Sequence, residues 1–294
     1  MKRVWISVLV LLLVLTALFV WAPTFILNTA AWGSDVTIER DISFGSEPRL
    51  KLDVYRPAGA ANAPVVVFFY GGSWQHGDKS IYRFVGSALA RAGIVTVIPD
   101  YRVYPPVVYP DFLRDSALAV RWAKDNATRF GGDASKLFLA GHSAGAYNAV
   151  SLATDRRWLG EAKLDASKDI AGVVGIAGPY DFLPLEAENL KIIFGPEETR
   201  PATQPINYVD GNEPPMLLLR PANDSVVDPG NSARLANRID GKHGKATLKT
   251  YDRVGHLSII GTFSPLLSFL APTKNDLVDF VRQRSARSAN PAAK

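Results

Sequence analysis

The 294-residue sequence predicts an α/β fold: one mostly parallel central sheet with helices on both faces. Three observations point to it. Strand-like and helix-like periodicities alternate from residue 36 onward. Several strand-like runs are continuously apolar, as strands covered on both faces are. Glycines follow the helix-like stretches, where a residue without Cβ ends a helix at little steric cost.

In chain order, "VTIERDISF" (36–44) and "LKLDVYRP" (50–57) alternate apolar and polar residues and read as an antiparallel pair of half-buried strands. "APVVVFFYGG" (63–72) and "IVTVIPDY" (94–101) are buried strands flanking a helix over 78–92 that stops at Gly93. Residues 110–130 carry apolar side chains at helical spacing and stop at Gly131-Gly132. "KLFLAG" (136–141) is a strand and 144–155 a helix; 169–178 and 214–224 are further strands. A helix over 229–239, a strand over 245–256 and a helix over 274–286 complete the pattern. Residues 179–213 break it: charged, Pro-rich, with one short helix, they read as a cap insertion lying over the sheet. The expected organisation is an N-terminal segment (1–34), one α/β domain (35–286) and a flexible tail (287–294).

Hydrophobic residues make up 47% of the chain, ample for a core. The net charge of +5 is mild, with no basic stripe interleaved with aromatics, so no nucleic-acid partner is expected. The absence of cysteine excludes disulfides and thiolate chemistry. No H-E-x-x-H spacing and no dinucleotide glycine fingerprint occur, so neither a metal nor another cofactor is expected. "GSWQHGDKS" (72–80) approaches a phosphate-binding loop, but Asp78 ahead of Lys79 puts negative charge where phosphate oxygens would lie. No feature of the sequence specifies an oligomeric state.

The N-terminus reads as an export signal. Lys2-Arg3 precede Val4 to Ala22, nineteen residues without a charge. At about 1.5 Å per residue, that run matches a bilayer core, whereas the apolar region of a cleavable signal is about 7–15 residues. "NTAAW" (28–32) offers a weak cleavage site after Ala31. An uncleaved signal anchor is favoured over a cleaved signal; either places the rest of the chain outside the cytoplasm.

The residues that carry chemistry centre on "LFLAGHSAGAYNAV" (137–150). "GHSAG" fits G-x-S-x-G between a strand and a helix, the context in which the serine sits on a strained turn as a nucleophile. A plain strand-to-helix turn would use the same glycines. Ser143 then needs a base, and the base an orienting acid, in the order Ser, Asp or Glu, His. Of four histidines, His76 and His142 fail that order and His243 lies in a Gly/Lys-rich turn, which leaves His256 at the end of a strand. Asp224, in the loop after "PPMLLLR", is favoured as the acid over Asp228, which suits a cap for the next helix with Pro229 at its first position. The glycine-bearing "FFYGGSW" loop offers Gly72 and Ser73 as amide donors to an oxyanion, joined by Ala144 after the nucleophile. Trp74 is packing or pocket wall, and Phe182, Phe194 and Phe263 are pocket lining or plain core.

Taken together, "YGGSWQHGDK", "DYRVYP" (100–105), residues 109–146, "GPYDFLPL" (178–185) and "PPMLLLRPANDSVV" resemble the α/β-hydrolase fold superfamily. The resemblance is to the group around hormone-sensitive-lipase-like carboxylesterases and kynurenine-formamidase-like enzymes, and it covers roughly residues 37–285. It implies Ser143, Asp224 and His256 as a triad and Gly72, Ser73 and Ala144 as oxyanion donors. It also implies cofactor-free hydrolysis of a small carboxylic ester through an acyl-enzyme. The short insertion favours small or aryl esters. An arylformamidase-type amidase is the nearest alternative; a non-catalytic binding module on the same fold is a more distant one. Two positions depart from the family pattern: Tyr70 stands where a histidine is usual, and Arg220-Pro221 replace the His-Gly before the acid loop.

Overall fold

The computed structural model describes residues 23–30 and 35–289. Its eight strands form one sheet in the order β1-β2-β4-β3-β5-β6-β7-β8. These are β1 (Val36–Ser43), β2 (Lys51–Pro57), β3 (Ala63–Phe69), β4 (Val95–Pro99), β5 (Gly132–His142), β6 (Gly172–Ile176), β7 (Met216–Pro221) and β8 (Ala246–Tyr251). β1 and β2 pair antiparallel, as their alternation predicts, and β2 is also antiparallel to β4. All other pairings are parallel. The continuously apolar strands β3, β4 and β6 are the buried centre, where both faces must be covered.

Ten helices are described: α1 (Pro23–Ala30), α2 (Arg83–Arg91), α3 (Asp111–Asn126), α4 (Ala144–Thr154), α5 (Arg156–Glu161), α6 (Ala166–Asp169), α7 (Glu188–Phe194), α8 (Gly230–Gly241), α9 (His256–Gly261) and α10 (Thr273–Ala289). Helices α4 and α10 both pack on β3, β5, β6 or their neighbours, with α3 beside α4 and α2 beside α10, so the sheet is covered on its two faces. In α3, Phe112, Leu113, Ala117, Val120 and Ala123 recur at helical spacing and are buried, which directs that face inward.

Local differences from the expected elements have local causes. β5 begins at Gly132 rather than Lys136, because Ala63 of β3 pairs with Gly132. Helices α5 and α6 are additional; Asp155 and Asp165 accept from the amides of Arg157 and Ser167 and so start each one. The strand expected to reach His256 ends at Tyr251, and His256 instead opens α9. The insertion at 179–213 holds its one α-helix, α7, plus 3₁₀ turns at Glu197–Thr203 and Pro205–Tyr208. Helix α10 runs through Ala289, so the first residues of the expected tail are helical; 290–294 lie outside the described residues. The candidate anchor, Val4 to Ala22, also lies outside them, and among the described residues no helix is long and apolar enough to cross a membrane.

Candidate active site

Ser143 stands between the last residue of β5 and the first of α4. Its backbone, at φ 54° and ψ −123°, is one that side-chain-bearing residues rarely adopt, a strain on the order of 1–3 kcal/mol. The surroundings hold it there. Ser143 N donates to Ile176 O at 2.9 Å, and its carbonyl accepts from Ala146 N and Tyr147 N in the first turn of α4. The turn is closed so tightly that a Cβ on Gly141 would run into Gly145 O, and one on Gly145 into Phe69 O.

This corner presents Ser143 Oγ 2.9 Å from His256 Nε2, and His256 Nδ1 lies 2.8 Å from Asp224 Oδ2. A carboxylate only accepts, so Nδ1 carries the ring proton and Nε2 is left to accept from the serine hydroxyl. Asp224 Oδ1 accepts from Val226 N at 2.8 Å and Val227 N at 3.0 Å, which orients the carboxylate. The side chains of Asp224 and His256 are almost wholly buried. Asp228 is elsewhere: it accepts from Gly230 N at 2.9 Å at the start of α8 and pairs with Arg234. The Arg220-Pro221 departure leaves the acid loop intact. Both residues lie within β7, and Arg220 ties the loop's base by donating to Thr250 Oγ1 and Pro229 O.

Beside Ser143 is a cleft of about 430 Å³. Ser73, Trp74 and Ala144 line it. Among the described residues, no acceptor meets the amides of Ser73, Ala144 or Gly72. Gly72, the residue before Ser73, has φ 141°; a Cβ there would run into His76 O, and its carbonyl accepts from Gln75 N and His76 N. The turn continues through Ser73 (φ 53°) and Trp74 (φ 58°). Trp74 is both wall and packing: its Nε1 donates to Asn148 Oδ1 at 3.0 Å, and its ring meets Phe182, Tyr147 and Phe194. Phe182 lines the cleft; Phe194 is buried behind it, and Phe263 is buried core away from it. On the polar side Arg234 bridges Asp181 (2.6 Å) and Asp228 (3.1 Å).

Tyr70, the residue that departs from the family pattern, is held at the start of this loop. Its hydroxyl donates to Asp100 Oδ1 at 3.0 Å and accepts from Arg49, while the ring stacks on Tyr101 at 4.7 Å. Arg49 also donates to Tyr101 O and Gly77 O. Burial raises the Asp100 carboxyl above its usual range. Lys79, in the near-match to a phosphate loop, is occupied by carboxylates: Asp41 at 2.7 Å, Asp53 at 3.5 Å and Asp100 at 3.6 Å. Asp78 caps the short helix that follows by accepting from Ser80 N.

The residue that order along the chain excluded, His142, proves to be part of the site's frame. Its Nε2 lies 2.9 Å from the carbonyl of His256, and its Nδ1 2.9 Å from Tyr82 Oη. The carbonyl can only accept, so Nε2 bears the proton, Nδ1 accepts from Tyr82, and Tyr82 in turn accepts from Gly71 N at 3.2 Å. One chain of hydrogen bonds thus links the glycine loop, the nucleophile corner and the backbone of His256. Burial, reinforced by neighbouring His256, pushes the His142 imidazole down to about 3 and keeps it neutral. No sequence signal marks this role, because its partners lie 60 and 114 residues away. Among the described residues no group of three or more acidic or histidine side chains is placed to hold a metal ion.

Comparison with known proteins agrees with this fold. The chain is 34% identical over 220 residues to Esterase LipC of Mycobacterium tuberculosis, which covers 68% of this chain and 54% of that protein. It is 26% identical over 258 residues to the isoprenylcysteine alpha-carbonyl methylesterase ICME of Arabidopsis thaliana, covering 81% and 60%. The chain spans about half to three fifths of the length of these relatives. Among solved structures, Esterase B of Lactobacillus rhamnosis superposes with a TM-score of 0.76 at 21% identity, over 95% of this chain and 97% of that one. A truncated carbohydrate esterase from gut microbiota gives 0.75 at 21% identity, over 86% and 99%. Both similarities place the sheet and its helices in the α/β-hydrolase fold. The BD-FAE family model matches residues 52–239, from the second strand to the helix after the acid loop and well over half of the sequence: the chain belongs to the BD-FAE family.

Proposed function

We propose that the protein is a serine hydrolase of carboxylic esters. The observation that carries this reading is the continuous relay from Ser143 Oγ through His256 to Asp224, at 2.9 and 2.8 Å, opening on a cleft with unpaired amides. Ser143 Oγ attacks the ester carbonyl carbon while His256 Nε2 takes the hydroxyl proton. Asp224 holds the imidazole in the required tautomer and stabilises the imidazolium. The carbonyl oxygen becomes an oxyanion facing the amides of Ser73 and Ala144, with the N-terminus of α4 behind them. Gly72, whose amide likewise meets no acceptor among the described residues, is the third donor of this reading. Collapse expels the alkoxide, which takes the proton back from His256. Water then attacks the acyl-enzyme by the same route in reverse, releasing the acid and restoring Ser143.

A cleft of about 430 Å³ walled by Trp74 and Phe182 suits a short-chain or aryl ester. Relatives named as esterases support the reaction class. The uncharged run Val4–Ala22 after Lys2-Arg3 supports an exported protein held by an N-terminal anchor, with the catalytic domain outside the cytoplasm.

The test is a panel of matched esters and N-formyl anilines on the wild type and Ser143→Ala, with intact-mass detection of the acyl-enzyme. Ester turnover is expected to fall by a factor on the order of 10³ or more in the variant, with no adduct. Full turnover in Ser143→Ala would remove the assignment, faster turnover of the anilide would make the enzyme an amidase, and a folded wild type that resists a fluorophosphonate would be a binding module.

A further inference from the structure

Helix α1 and the segment after His256 share one side of the molecule, and that side carries an unusual surface. From Val254 to Thr273 twenty consecutive residues bear no formal charge, between Arg253 and Lys274. Within that stretch Leu257 is 75% exposed, Leu266 45% and Phe269 72%. Isolated exposed apolar residues are ordinary, but three large ones along a single uncharged stretch of chain point to a contact.

Beside them lies α1. The Cβ position of Gly261, at the end of α9, is 4.0 Å from Leu27 Cδ1 and 2.9 Å from Leu267 Cδ1, so α1, α9 and the 265–270 turn meet there. Helix α1 is fastened to the domain. Asn28 Nδ2 donates to Ser80 O at 2.9 Å, its Oδ1 accepts from Phe84 N at 2.9 Å, and Leu27 is buried. The nineteen uncharged residues Val4–Ala22 run directly into Pro23, four residues or about 6 Å of helix from Leu27. The first described residue, Pro23, is therefore on the same side of the domain as Leu267 and the turn that carries Leu266 and Phe269.

We propose that Leu257, Leu266 and Phe269, with α1 alongside, form a lipid-facing surface that seats the domain against the boundary between headgroups and acyl chains of a bilayer. The inference rests on the N-terminal anchoring proposed above and goes beyond it, by fixing which side of the domain faces the lipid. An anchor alone tethers a domain without orienting it; an anchor that joins the chain beside a docked helix and exposed apolar side chains orients it. Leu257 adjoins His256, so this orientation brings the histidine side of the active site to the membrane, where apolar esters partition.

The chain contains no cysteine, so single labels can be placed at will. Full-length Leu266→Cys and Phe269→Cys would be labelled with an environment-sensitive fluorophore and reconstituted into phosphatidylcholine vesicles. The control is Leu118→Cys on α3, which is 43% exposed and belongs to the layer beside α4. Labels at 266 and 269 are expected to be quenched severalfold more by nitroxide-bearing lipids than the label at 118, which iodide in solution should quench instead. Labels at 266 and 269 that behave like the one at 118 overturn the proposal while anchoring stands. Shielding from both quenchers also overturns it, since protein would then cover the patch. Failure of the full chain to float with the vesicles removes the anchoring reading and this one together.

Discussion

At the scale of single residues, the Ser143–His256–Asp224 relay is a small part of what holds the site. His256 receives two constraints: Asp224 fixes its ring through Nδ1, and His142 fixes its backbone through the carbonyl. Tyr82 completes the second constraint by donating to His142 Nδ1 and accepting from Gly71 N. Tyr82→Phe leaves a buried acceptor on His142 and a buried donor on Gly71 without partners, at a cost of about 1–3 kcal/mol each in the worst case. Small displacements of reacting atoms are expensive, so kcat is expected to fall by roughly ten- to a hundredfold. KM should change little, because Tyr82 does not line the cleft. Steady-state kinetics on one good ester decide it; an unchanged kcat means that the hydrogen-bond chain contributes nothing to alignment. Asp224 and Asp228 show how far single residues can be read in advance. Distance from the strand and the Pro229 that follows separated them, because capping is a local pattern. Nothing local marked His142 or Tyr82.

At the scale of elements, the strand-turn-helix of β5 and α4 depends on bare backbone at two points. Gly145 lies against the carbonyls of Phe69 and Tyr70 at the end of β3, where any side chain must displace main chain. Gly145→Ala is expected to destabilise the protein by about 1–3 kcal/mol or more and to open the nucleophile turn. Gly160, in α5, has nothing within 4 Å of its Cβ position. Gly160→Ala should leave stability unchanged or raise it by about 0.4–1 kcal/mol, because it only restricts the unfolded chain. Urea unfolding of the pair measures both, and equal midpoints would refute the close-approach argument. The strands and long helices were legible because period and burial agree along them. The short helices α5 and α6, and the switch from strand to helix before His256, were not. Runs of four to six residues carry too few turns for a period to emerge, and their formation depends on what they pack against.

At the scale of the whole molecule, the buried imidazole of His142 couples folding to pH. It titrates near 6.5 in the unfolded chain and at about 3 in the folded one. Between those values the unfolded state binds more protons, so stability falls as pH drops from 6.5 towards 3, with a slope of up to about 1.4 kcal/mol per pH unit from this group. Above 6.5 the imidazole is neutral in both states and contributes no slope. His142→Gln is expected to flatten the dependence between pH 4 and 6; parallel urea curves at pH 4, 5 and 7 read it, and an identical slope in the variant would assign the acid sensitivity to other groups. The sequence by itself determined the alternation of strands and helices, the antiparallel entry into the sheet, the strained corner at Ser143 and the choice of His256 and Asp224. Each is written in nearest-neighbour pattern, in residue type or in order along the chain. Only the tertiary structure decided that Tyr70 is held by Asp100 and Arg49 and that His142 braces His256. Those roles consist of hydrogen bonds between groups far apart in sequence, and a hydrogen bond exists only where folding brings its donor within about 3 Å of its acceptor.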